Sequence, residues 1–108
     1  MAKRINVIIK RPEEPVGHVI SLYNTLYDFQ RKIGGNIETL QAGDDWLILA
    51  DEEGRLKDLK PNIRVGVVFQ VALVGTIIAV GVDGENFCSV PFSLDDWKRT
   101  LERWGNVC

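Results

Sequence analysis

A chain of 108 residues, 45% apolar and 26% charged, has the size and composition of one soluble globular domain, which excludes a disordered tail or a fibre. Thirteen basic and fifteen acidic side chains leave a formal net charge of −2. That balance gives no bulk attraction to nucleic acid or anionic membrane, and is too weak for a mimic of DNA phosphates.

Residues 3–10 read as a first strand, with Ile5, Val7 and Ile9 on one face. Pro12 and Pro15 break it, and residues 18–22 read as a second strand that returns to pair as a hairpin. Asn24 is the expected N-cap of a helix over 25–33, whose Leu26, Phe29 and Ile33 share one face. Gly34 and Gly35 end it. Residues 37–41 and 46–50 are strands joined at Ala42-Gly43-Asp44. The second is apolar on both faces and therefore central. Asp51-Glu52-Glu53-Gly54 is a surface turn, and Pro61 rules out a continuous helix across the polar stretch 55–62.

From Val65 to Val82 no residue is charged. The run reaches bilayer length, but it is rich in valine and isoleucine and holds three glycines, so buried strands with a bend are expected in place of a membrane helix. Residues 73–82 are expected as one long buried strand. Asp83-Gly84 signals a type I′ hairpin to a strand over 86–90. Ser93 and Asp96 form a capping box on a last helix, and Leu94, Trp97, Leu101 and Trp104 make its apolar face. The whole predicts a single α+β domain over 1–108, with one antiparallel or mixed sheet of about five to seven strands and helices near 25–33 and 94–104 packed on one face.

The motif order Gly34-Gly35-Asn36-Ile37-Glu38, Asp51-Glu52-Glu53-Gly54-Arg55, Pro61-Asn62, Val74-Gly75-Thr76 and Val80-Gly81-Val82-Asp83, closed by a capped helix, resembles a family of small uncharacterised domains of phages and mobile elements of Gram-positive bacteria. The resemblance runs from Ile5 to Trp104, and the chain departs from it by being more apolar between Arg64 and Leu73. It implies a genomic setting and carries no catalytic residues.

No catalytic set is expected. His18 is the one histidine available to activate Cys88, and it sits beside a surface connection while Cys88 sits in a strand. One histidine and two distant cysteines, Cys88 and Cys108, cannot make a zinc site, and the acidic runs lack the ligand spacing of a calcium loop. No phosphate-binding glycine motif is present. No cofactor and no metal are therefore expected. The cysteine usage and the lack of an apolar leader read as a cytoplasmic protein with free thiols.

Two binding surfaces remain. Arg55, Lys57, Lys60 and Arg64, next to Asn62, could hold phosphates of a nucleic acid or small ligand, though no aromatic interleaves them. Val65, Val67, Val68 and Phe69, if exposed, would mark a protein interface or a homodimer edge. The preferred expectation is a non-enzymatic accessory module that binds an unidentified protein or itself. Nucleic-acid or phosphorylated-ligand binding is the alternative.

Overall fold

The computed structural model describes residues 3–106. In chain order these form β1 (Arg4–Lys10), β2 (His18–Tyr23), α1 (Leu26–Ile33), β3 (Ile37–Gln41), β4 (Trp46–Asp51), β5 (Pro61–Val65), β6 (Val71–Val74), β7 (Ile77–Asp83), β8 (Asn86–Cys88) and α2 (Leu94–Arg103). The α+β class stands. A six-stranded antiparallel sheet has the order β2-β1-β7-β4-β3, with β8 also beside β7, and β5 and β6 form a separate two-stranded sheet. Cys108 lies outside the described residues, and Cys88 is a free, half-buried thiol.

Side chains alternate across a strand, so a strand apolar at successive positions has two faces to cover. β1, β4 and β7 are such strands. Ile8, Ile48, Ala50, Ile77 and Ala79 face one side, where Trp97, Leu101 and Trp104 of the C-terminal helix region pack with Ile63, Val65 and Leu73 of the β5–β6 hairpin. Ile5, Val7, Ile9, Leu49, Ile78 and Val80 face the other, covered by Phe29 and Ile33 of α1. The two helices therefore lie on opposite faces, correcting the one-face arrangement. Each helix has only one apolar stripe, and the sheet presents two apolar faces.

On the α2 face Trp46 stacks on Trp104 with ring centroids 6.1 Å apart and meets Trp97 edge-on at 6.0 Å. The indole N–H of Trp97 donates to Val16 O at 2.8 Å, which ties the helix to the β1–β2 connection. The Ser93–Asp96 capping box forms in both directions. At α1 the cap is Thr25, whose hydroxyl accepts from Asp28 N–H, and not Asn24. The Asn24 side chain instead donates across the sheet to Phe87 O at 2.7 Å. A residue with a competing long-range partner leaves the cap to its neighbour.

Two strand expectations also change. The stretch 73–82 is broken at Gly75, whose φ is +75°, so it forms the end of β6 and most of β7, which belong to different sheets. In the β7–β8 hairpin Asp83 pairs with Asn86, so the loop is Gly84-Glu85. Only Gly84 has positive φ there. A type I′ turn needs two such residues, so the turn is of another kind. Among the described residues no helix is long and apolar enough to cross a membrane.

Candidate functional site

The segment 63–73 becomes the β5–β6 hairpin. Its inward residues Ile63, Val65 and Leu73 join the α2-side core. Its tip does the opposite: Val67, Val68 and Phe69 are 63%, 80% and 91% exposed, and Val71 is also exposed. Folding normally removes such side chains from water, and three in succession at one tip are unusual for a small soluble domain. Val65, expected beside them on the surface, is buried at 7% exposure and belongs to the core. It faces inward because strand alternation places Ile63 and Val65 on one side.

The tip is held, not trailing. Gly66 has φ +111°, and a side chain there would meet Phe69 O at 2.7 Å, so the turn needs a glycine. Gln70 Nε2 donates to Gly66 O at 3.0 Å, closing the turn, and to Trp104 O at 2.7 Å, fastening it to the end of α2. Arg64 on β5 pairs with Ala72 on β6. The outer side of that rung is closed at both ends: Asn106 bonds the N–H and C=O of Arg64, and the Arg55 guanidinium donates to Ala72 O at 2.8 Å.

Of the residues expected as a phosphate cradle, Arg55, Asn62 and Arg64 line one groove, while Lys57 is engaged with Asp51. Lys57 Nζ lies 2.7 Å from Asp51 Oδ2 and 3.3 Å from Gly34 O. Asp51 is buried, and burial pushes its carboxyl upward, but the bonds from Lys57 and from Glu53 N–H, with the Lys57 charge, outweigh that and hold it below the ordinary carboxylate value. The same bond to Asp51 raises the Lys57 ammonium against a smaller desolvation effect. Asn62 points inward: Nδ2 donates to Lys10 O and Gly75 O at 2.8 and 2.7 Å, and Oδ1 accepts from the buried Lys10 Nζ at 2.7 Å. Burial lowers the Lys10 ammonium, opposed by the charges of Glu14 and Glu13. Arg55 is committed to Ala72 O, while Lys60 and Arg64 remain exposed.

Sequence reasoning missed a crevice of about 350 Å³ between the β3–β4 pair and β6, lined by Glu38, Asp51, Glu52, Arg55 and small apolar side chains. The one signal for it was a strand carboxylate, Glu38, opposite Ala50. A second groove of about 310 Å³ is lined by Arg55, Asn62, Ile63, Arg64, Leu73 and Asn106. Neither holds a nucleophile beside a base. His18 Nδ1 lies 2.9 Å from Glu14 Oε2 on the surface. Cys88 lines a separate crevice with Lys3, Ile5, Asn24, Asn86 and Phe87. Among the described residues no three His, Cys, Asp or Glu side chains gather as metal ligands.

A family model described as a domain of unknown function (DUF3846) matches residues 5–102. No curated protein and no solved structure matches the chain.

Proposed function

Since the chain belongs to the DUF3846 family, a domain of unknown function, we propose from its own geometry that it is a non-enzymatic interaction module, docking a partner protein with the tip of the β5–β6 hairpin. The observation that carries this is the exposure of Val67, Val68 and Phe69 on a hairpin otherwise fixed by side-chain bonds. A patch of a few hundred Å² rich in apolar side chains marks a contact surface on a small domain. A tip already held in place loses little conformational freedom on docking, and an aromatic anchor in a pocket is the commonest source of binding energy.

The tip is convex, so its partner is concave. Two tips pressed together would bury less than about 1,200 Å² in total, below the range of stable specific interfaces. A different protein with an apolar pocket fits better than a second tip. The sequence resemblance to small domains of phages and mobile elements supports placing the module there, with a host or element protein as its target. The separation of His18 from Cys88 supports the non-enzymatic reading, and the engagement of Lys57 and Asn62 in internal bonds supports protein docking over the phosphate-binding alternative.

The test compares wild-type bait with Val68→Ser/Phe69→Ser bait in quantitative capture from source cells, followed by binding of the purified partner. A partner held by the wild type and lost by the variant is expected. Equal binding by both contradicts the reading.

A further inference from the structure

The edges of the two sheets are not treated alike. In the β3–β4 ladder Asn36 O accepts from Glu52 N–H at one end, and Ala42 N–H donates to Trp46 O at the other. Antiparallel bonding alternates, so residues 36, 38, 40 and 42 bond to β4, and Ile37, Thr39 and Gln41 direct their N–H and C=O outward. The same parity on β2 turns Val19, Ser21 and Tyr23 outward, and there side chains meet two of the six backbone groups: Arg4 donates to Ser21 O, and Tyr23 N–H donates to Asp28. Asn106 and Arg55 close the outer sides of β5 and β6. Among the described residues no side chain meets the outward backbone groups of β3. The strand is regular over five residues, without proline, bulge or lysine, the usual devices that blunt an edge.

We propose that the β3 edge pairs with β3 of a second copy of this chain, antiparallel and centred on Thr39. The strand is self-complementary in that register. All six outward groups of Ile37, Thr39 and Gln41 bond at once, Thr39 faces Thr39, Ile37 faces Gln41, and Glu38 of one copy lies opposite Leu40 of the other. No like charges stand directly opposed, and a threonine pair across the axis is favourable. The two six-stranded sheets become one continuous sheet across a two-fold axis, the isologous form of most homodimers. The contact is small, so the dimer dissociates in the micromolar range or weaker. It is independent of the hairpin tip.

The experiment is sedimentation equilibrium over a concentration series. The wild type is expected to pass from monomer to dimer mass. Thr39→Pro removes an N–H that β4 does not use, so it leaves the fold intact by circular dichroism and abolishes the dimer. Thr39→Lys sets two cations face to face and weakens the dimer by about tenfold or more. With Cys88→Ser and Cys108→Ser in the background, Thr39→Cys is expected to cross-link on mild oxidation, because the paired Cα atoms lie about 5.5 Å apart, within disulfide reach. Gln41→Cys, which faces Ile37, is not. Phe69→Ser retains the dimer. A wild type monomeric throughout the series, or a dimer that survives Thr39→Pro, overturns the proposal.

Discussion

The Asn106 side-chain amide closes on both backbone groups of Arg64, accepting from its N–H at 2.8 Å and donating to its C=O at 2.8 Å. Asn106, three residues beyond α2, thus behaves as an extra strand residue on the edge of β5. Asn106→Ala removes two hydrogen bonds, each worth about 0.5–1.5 kcal/mol net, so unfolding stability falls by about 1–3 kcal/mol. Amide exchange at Arg64 accelerates, while exchange in β7 follows only the global loss. Asn106→Asp keeps the acceptor and loses the donor, and falls between the two.

Val65 and Val68 are the same residue type three positions apart on one hairpin, one in the core and one in solvent. Val65→Ala opens a cavity beneath the hairpin and costs about 1–2 kcal/mol. Val68→Ala changes stability by less than about 0.5 kcal/mol. Chemical denaturation of the two variants measures the contrast, and equal costs would mean that the tip is packed.

Asn62 is a structural clasp. Asn62→Leu deprives Lys10 Nζ of its 2.7 Å partner and takes a donor from the carbonyls of Lys10 and Gly75. Leaving a buried charged donor and two acceptors short of partners costs about 2–4 kcal/mol. A residue serving only to bind an external ligand would lower affinity and leave the melting temperature unchanged.

The Asp51–Lys57 pair sets a pH dependence. The Asp51 carboxyl is depressed in the folded state, so its contribution is fully present above the unfolded carboxylate value and is lost as pH falls through the folded one. Lys57 is raised, so its contribution is present below its ordinary value of 10.5 and is lost as pH rises through the folded value. Thermal melts of Lys57→Met are expected to lie below wild type at neutral pH, with the difference shrinking as Asp51 protonates in acid. A difference independent of pH would remove the ion pair from the account.

The sequence carried the elements better than their assembly. Ser93 and Asp96 act only within their own turn, so the cap of α2 was legible from spacing. The apolar positions of β4 showed both faces buried for the same local reason. Which face each helix covers depends on contacts between Phe29 and Leu49 layers far apart in the chain, and no single-segment pattern records that. Asn24 looked like a cap because its long-range bond to Phe87 O leaves no local trace. In the cationic cluster Arg55, Lys57, Asn62 and Arg64 are near in sequence, but the bonds of three of them to Ala72, Asp51 and Lys10 join distant parts of the chain and leave no local trace. The apolar stretch 65–69 was visible as an anomaly. The depth of Val65 was not, because it depends on hairpin register.

The most direct measurement is calorimetric titration of the protein recovered with wild-type bait against wild type, Val65→Ala and Val68→Ser/Phe69→Ser. Docking through the tip predicts that the double variant loses at least about tenfold in affinity, a difference of about 1.4 kcal/mol, while Val65→Ala binds as the wild type does once folded. Undiminished affinity of the double variant would place the contact elsewhere and leave the exposed Val67–Phe69 tip without a role.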